Sequence, residues 1–233
     1  MNTYAIICTR TTHLGVVTKI LVEKLSSFGV DVKVLANSDS IFKAYKKGFD
    51  LCKPDKNDIV IFCHDDIQLL QDQDDFFASL TKCVEEDTGI VGPAGTTALN
   101  ADAVWWRQDL WEKGYHRGQV KHRKEVQKGN ESVPVIEKTH YGDFGQVVAL
   151  DGLFLAARAE VWERVGLDKP DYFEGDWDFY DIHYTVTAHQ LGLKNYAVPV
   201  DMIHLSVGEL VGRDSWHKNR EAFIKQHELP ILV

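Results

Sequence analysis

The chain has 233 residues, 44% of them hydrophobic and 26% charged, enough for one large α/β domain or a core domain carrying an insertion. Its formal charge of −9 argues against a general nucleic-acid binder, which neutralises phosphates with clustered Lys and Arg. No apolar run reaches bilayer-spanning length and residues 1–10 lack the features of a signal peptide, so a cytoplasmic protein is expected.

The cysteines Cys8, Cys52, Cys63 and Cys83 show no Cys-x-x-Cys spacing and read as small buried apolar residues. Thr3–Cys8 is an apolar run expected to form a buried first strand, ending in the polar turn Thr9-Arg10-Thr11-Thr12-His13. From Gly15 the apolar residues Val17, Ile20, Leu21, Leu25 and Phe28 recur at helical spacing, closed by Gly29. Residues 30–35 alternate as a second strand. Ser40 can cap a helix whose apolar face is Ile41, Ala44, Tyr45, Gly48, Phe49 and Cys52. Residues 54–57 break that helix.

The next stretch, Asp58-Ile-Val-Ile-Phe-Cys-His-Asp-Asp66, has the continuous apolar run of a central strand buried on both faces, ending in a histidine and two carboxylates. Ligands collect at the carboxyl ends of strands in open α/β sheets, and hard oxygen ligands there suit Mg²⁺ or Mn²⁺ bridging phosphates. A solvated strand end, with Asp66 or Asp72 as a helix N-cap, fits the same residues. Three strands alternating with two helices indicate a parallel nucleotide-binding half sheet. Neither G-x-G-x-x-G nor a P-loop occurs, so a bound nucleotide would need a metal at its phosphates.

Residues 72–86 carry helical spacing through Phe76, Phe77, Leu80 and Val84, and 89–95 read as a fourth strand entering a glycine-rich turn. Over 96–145 the rhythm fails. Trp105, Trp106 and Trp111 lie among charges, followed by a basic run over 116–128 that offers a local contact to an anionic acceptor or a membrane surface. This reads as an insertion of short strands and loops bordering the cleft, with aromatics that serve packing or stack on sugar C–H faces. The expected division is a nucleotide-binding half (1–95), the insertion (96–145) and an acceptor half (146–233) of one domain.

In that last part, 146–157 reads as a long strand interrupted by Asp151-Gly152, and 159–165 as a short helix. A helix opens over 176–183 and stops at Gly192, with Asp178 and Asp181 three apart on one face. Residues 195–200 and 202–205 are strands, the latter carrying His204, and 215–227 is a terminal amphipathic helix.

Three pieces in this order resemble the GT-A glycosyltransferases, close to the family 2 type and its small bacterial and viral relatives. They are residues 40–66, with Tyr45-Lys-Lys-Gly48 leading to the His-x-Asp form of the D-x-D metal motif; Leu150-Asp-Gly-Leu-Phe-Leu-Ala-Ala-Arg158; and Phe179-Tyr-Asp-Ile-His-Tyr-Thr-Val-Thr-Ala-His-Gln-Leu-Gly192, followed by His204-Leu-Ser-Val-Gly208. The resemblance implies an α/β GT-A (nucleotide-diphospho-sugar transferase) fold, a mixed, mostly parallel central sheet flanked by helices. It implies an inverting displacement with Mn²⁺ or Mg²⁺ as cofactor, a nucleotide-sugar donor, UDP-linked, and a glycan or glycolipid acceptor.

By position, Asp66, His204 and His64 are implied as metal ligands and Asp181 as the general base, with Asp178 as its fallback. Thr9, Arg10, Asn37, Asp39 and Asp65 are implied at the nucleotide. Asp151 is implied near the donor or acceptor sugar, where Gly152, Asp178 and the aromatics Trp105 and Trp106 are the further candidates. The chain departs from the pattern at His64, where an acid is usual, at Tyr180, which replaces a common Glu, and at His183, which replaces a common Asp. Those departures leave a non-catalytic glycan-binding scaffold as the alternative. A sugar nucleotidyltransferase would want a basic, glycine-rich grip after the first strand, where residues 9–15 offer only Arg10 among Lys and Arg.

Overall fold

The computed structural model describes residues 1–128, 131–206 and 214–233, so Val207 and Gly208 of the late-histidine piece lie outside the described residues. A seven-stranded sheet forms the centre, in the order Gly145–Val147, Lys194–Ala197, Thr88–Gly92, Phe154–Arg158, Ile59–His64, Thr3–Cys8 and Asp31–Leu35. Five strands run the same way, while Phe154–Arg158 and Gly145–Val147 run against them. Ile59–Cys63 is fully buried, as an apolar run covered on both faces must be, and exposure resumes at His64.

Local chemistry sets the elements against this sheet. The Ser40 hydroxyl accepts from the Lys43 amide and starts the helix Ile41–Cys52, which ends at Lys53 in the left-handed region. Tyr45 on that helix stacks on Phe62 at 4.4 Å, and Phe62 meets Trp162 at 4.6 Å. A Cβ at Gly48 would come within 2.4 Å of Ile6, so only glycine lets this helix lie so close to the first strand. The Tyr45-x-x-Gly48 spacing therefore has a packing reason. Burying rings of this size is worth about 1.5–3 kcal/mol each.

Three expectations are corrected. The long strand over 146–157 is three strands, Gly145–Val147, Ala149–Leu150 and Phe154–Arg158, because the chain leaves the central sheet, joins a second one, and returns through the Asp151-Gly152 turn. The run over 89–95 splits in the same manner at Pro93, which has no amide for a ladder, into Thr88–Gly92 and Ala94–Thr96. The insertion is not short strands and loops beyond Trp111: His116–Lys128 and Glu131–Gly142 form one long antiparallel hairpin, paired from Gly118↔Gly142 to Lys128↔Glu131. Much of the hairpin is exposed on both faces, so no alternation of apolar and polar residues announces it.

The second sheet has the order Ala149–Leu150, Ala94–Thr96, His116–Lys128, Met202–His204 and Ile67–Leu69. Antiparallel pairing of Met202–His204 with Ile67–Leu69 sets His204 opposite Ile67, the residue after Asp66, and the Leu205 amide donates to the Asp66 carbonyl at 3.0 Å. Two segments about 140 residues apart in the chain thus meet where the central strand ends.

Candidate functional site

A cleft of ≈ 830 Å³ opens at the carboxyl ends of the first and third strands. At its floor one ligand atom each from His64, Asp66 and His204 lie within 4.8 Å of one another. Asp66 Oδ1 sits 3.4 Å from His204 Nε2 and 3.7 Å from His64 Nδ1, and it is buried without a hydrogen-bond partner. An orphaned buried carboxylate oxygen facing two ring nitrogens is the arrangement a divalent cation would complete. One carboxylate with two imidazoles suits Mn²⁺ among the oxygen-preferring metals.

The protons agree with this. The Tyr180 hydroxyl donates to the Gly152 carbonyl at 3.0 Å and lies 2.6 Å from His64 Nε2. A phenol has one proton to give, so His64 Nε2–H donates to Tyr180 and the Nδ1 lone pair is left facing Asp66. Burial lowers the His64 pKa to about 4, against the opposing pull of Asp66, so the ring is neutral at pH 7. Burial would raise the Asp66 carboxyl, but the neighbouring His204 outweighs it and holds it well below the usual carboxylate range. His204 is raised, since burial is outweighed by Asp66 and then Asp151.

The helix Tyr180–Gln190 carries Asp181 in its first turn. Burial, then the Asp151 charge, raise the Asp181 pKa to about 7, while backbone amides including that of Gly152 pull the other way. Asp151 is itself raised, chiefly by burial. A Cβ at Gly152 would meet the Tyr180 hydroxyl at 2.3 Å and Asp181 Cβ at 2.8 Å. Glycine is needed there so that the turn can press against the helix start. Phe179, the residue before that helix, has φ 68°, a left-handed conformation that packing must impose on a phenylalanine.

At the first strand's end Thr9 is buried, and its carbonyl accepts the Ser38 amide at 3.1 Å. The Arg10 guanidinium lies 4.1 Å over Trp177, whose indole N–H donates to the Asp39 carbonyl at 3.0 Å. Thr9, Arg10, Asp65 and Trp177 line the cleft. Asn37 and Asp39 are not among its lining residues: Asn37 turns the chain at φ 53° and the Asp39 carboxylate is exposed, 3.2 Å from Lys43.

Of the candidates near the sugar, Asp151, Gly152, Asp178, Trp105 and Trp106 all border the cleft. Trp105 is 3% exposed and packs on Trp106, His116 and Tyr141, whereas Trp106 is 37% exposed. Asp178 is 2% exposed; its Oδ2 accepts from Ser215 and its carbonyl from Asn219, so it anchors the terminal helix Asp214–Gln226. Trp177, Trp216, His122, Arg123 and Glu125 also line the cleft, and none of them was assigned to the site from the sequence. Two signals were available: the basic run over 116–128, which carries His122, Arg123 and Glu125, and the substitution at Tyr180, which marked that residue without saying what it touches.

The model of the glycosyltransferase-like family matches residues 17–227. Among solved structures, GalNAc-T7 with UDP, GalNAc and Mn²⁺ is similar at a TM-score of 0.58 and 12% identity, covering 97% of this chain and 48% of that one. The chain thus spans about half the length of GalNAc-T7. A197 from STIV is similar at a TM-score of 0.45 and 14% identity, over 86% of this chain and 83% of that one. No curated protein sequence matches. With a mixed central sheet flanked by helices, the fold is of the GT-A type, and the chain belongs to the glycosyltransferase-like family.

Proposed function

We propose that the protein is a metal-dependent, inverting glycosyltransferase that moves a sugar from a UDP-linked donor to a hydroxyl of a glycan or glycolipid. One observation carries this reading: the cleft holds two separate acidic functions. Asp66 faces two imidazole nitrogens and stays ionised, while Asp181 lies apart from that cluster with its pKa raised to about 7. Group transfer from a nucleotide sugar needs this separation, one carboxylate for a cation at the diphosphate and another free to take a proton.

His64, Asp66 and His204 would hold Mn²⁺ or Mg²⁺, which when bound supplies charge stabilisation to a departing diphosphate. Asp181 accepts the proton of the acceptor hydroxyl. A base poised near the working pH is half ionised there, which balances availability against basicity. Thr9, Arg10 and Trp177 offer the nucleoside a polar strand end and a stacked cation. The Mn²⁺ and UDP in the GalNAc-T7 structure support the choice of metal and nucleotide.

The test is turnover of a panel of UDP-sugars with Mn²⁺ by the native chain and by Asp181→Asn. The expected loss is at least about 10²-fold in the variant. Undiminished turnover in Asp181→Asn would reject it as the base, and retention of anomeric configuration, read by NMR of the product, would reject inversion.

A further inference from the structure

Beside the metal cluster a further imidazole lines the cleft, and neither that cluster nor Asp181 accounts for it. His122 lies on the hairpin strand His116–Lys128, which pairs parallel with Met202–His204 through Ile203↔Lys121 and His204↔His122. Residues opposite one another on neighbouring strands point to the same face of a sheet, so His122 continues a row that runs from Ile67 through His204. Its ring sits 5.8 Å from that of His204, close to the 5.6 Å between His64 and His204. Glu137, its partner across the hairpin, is paired with Lys124 at 2.8 Å instead. Among the described residues no hydrogen bond reaches either ring nitrogen of His122, although the side chain is half-buried. Packing on His204 alone would be served by any flat ring, whereas an imidazole brings a polar N–H that nothing here receives. His122 does not join the ligand atoms of His64, Asp66 and His204 that lie within 4.8 Å of one another. It stands one layer further out, on the side where the outward oxygens of a phosphate held by a cation at that cluster would find a donor.

We propose that His122 donates a ring N–H to the diphosphate of the nucleotide-sugar donor, so that the inserted hairpin supplies a catalytic contact to the leaving group. The assignment rests on the glycosyltransferase reading and adds a residue to it. As the bond to the anomeric carbon breaks, its electron pair stays on the leaving phosphate oxygen and negative charge collects on the diphosphate. A donor aimed at that charge strengthens as the charge develops, and it gives up no proton in doing so. An imidazole carries an N–H in either neutral tautomer and when protonated, so the contact does not depend on how the ring titrates. The hairpin is thereby tied to the donor through the same row of residues that carries His204.

Calorimetry on the full chain and two variants reads UDP binding in saturating Mn²⁺ and, separately, Mn²⁺ binding without nucleotide. His122→Phe keeps a ring against His204 and removes the N–H, while His122→Gln keeps a donor and removes the ring. UDP affinity should fall about tenfold in His122→Phe, as for the loss of one hydrogen bond to a charged group, and return to within about threefold of native in His122→Gln. Mn²⁺ affinity without nucleotide should stay within about twofold of native in both. Native-like UDP affinity in His122→Phe would overturn the assignment. So would an equal loss in the two variants, which would mark the ring rather than its N–H. A fall in Mn²⁺ affinity without nucleotide in His122→Phe would overturn it in favour of a fourth metal ligand. These three outcomes sink the assignment alone, whereas a native chain that binds Mn²⁺ but no UDP would sink the glycosyltransferase reading and the assignment with it.

Discussion

His64 Nδ1 and Asp66 Oδ1 face each other at 3.7 Å with no proton between them, because the Tyr180 hydroxyl on the far side of the ring holds the imidazole proton on Nε2. Two lone pairs turned toward one another repel until something positive joins them. The residue that creates this pairing is neither of the two, and it comes from a helix more than 100 residues further along the chain.

Tyr180→Phe should therefore weaken Mn²⁺ binding about 10- to 100-fold, the usual effect of removing the partner that orients a metal-binding histidine. The ring contacts with Tyr45 and Phe42 survive the change, so the loss of stability should stay near that of one hydrogen bond, about 1 kcal/mol. Calorimetric Mn²⁺ titration beside thermal unfolding checks both. Native-like metal affinity would show that the tautomer does not matter.

Asp66 and His204 give the metal-free protein a pH signature. Asp66 is depressed, so its stabilisation is present above the ordinary value of 3.8 and lost as pH falls through its folded value. His204 is raised, so its stabilisation is complete below the ordinary value of 6.5 and lost as pH rises through its folded value. The two windows overlap between about pH 4 and 6.5. The melting temperature of the native chain should exceed that of Asp66→Asn most in this interval, measured with a chelator present. A gap as large at pH 9 would contradict the pairing.

For Asp181 the sign is reversed. Its folded pKa of about 7 lies above the ordinary 3.8, so ionisation opposes folding. Asp181→Asn should be the more stable protein above pH 7, with the advantage shrinking as pH falls toward 4. Native turnover should climb through a midpoint near pH 7, and the residual turnover of the variant should lack that rise. Thermal unfolding and initial rates over the same buffer series read the two together, and a rate profile flat through pH 7 would remove Asp181 from the proton transfer.

Gly152→Ala should be among the more damaging single-methyl additions to this chain. The new Cβ would stand 2.3 Å from the Tyr180 hydroxyl and 2.8 Å from Asp181 Cβ, and the helix start must move to accept it. A cost of about 1–3 kcal/mol in stability is expected, with Mn²⁺ affinity falling because the Tyr180–His64 contact shifts too. Unfolding in urea and metal titration of the same variant check this. Gly145→Ala, where nothing lies within 4 Å of an added Cβ, is the control.

Much of this architecture was readable before any coordinates. The apolar run over 59–63, the helical spacing from Ile41 to Cys52 and the Ser40 cap rest on local rules of burial and capping, and each appears as expected. The Thr88–Gly92 and Phe154–Arg158 strands were seen but overextended, because the apolar pattern resumes beyond Pro93 and beyond Asp151-Gly152 although the chain changes sheets at both. The hairpin was not seen at all. Arg123↔Ile136 and Lys124↔Val135 are its cross-strand partners, and pairs of charged with aliphatic residues leave no period to read.

The site divides the same way. The residue types were set by the sequence alone: a strand that ends in His64, Asp65 and Asp66, an acid in the first turn of a later helix, and a histidine closing a short strand. Which of them meet was decided by pairing, when Met202–His204 docked against Ile67–Leu69 and brought His204 to Asp66. The same is true of Tyr180, whose place beside His64 depends on a turn tight enough to need glycine, and of Trp106, which is 37% exposed where Trp105 is 3% exposed. Propensity and periodicity act over a few residues, whereas proton positions, the meeting of metal-ligating atoms and the exposure of one tryptophan beside a buried one depend on contacts between segments that no local pattern encodes.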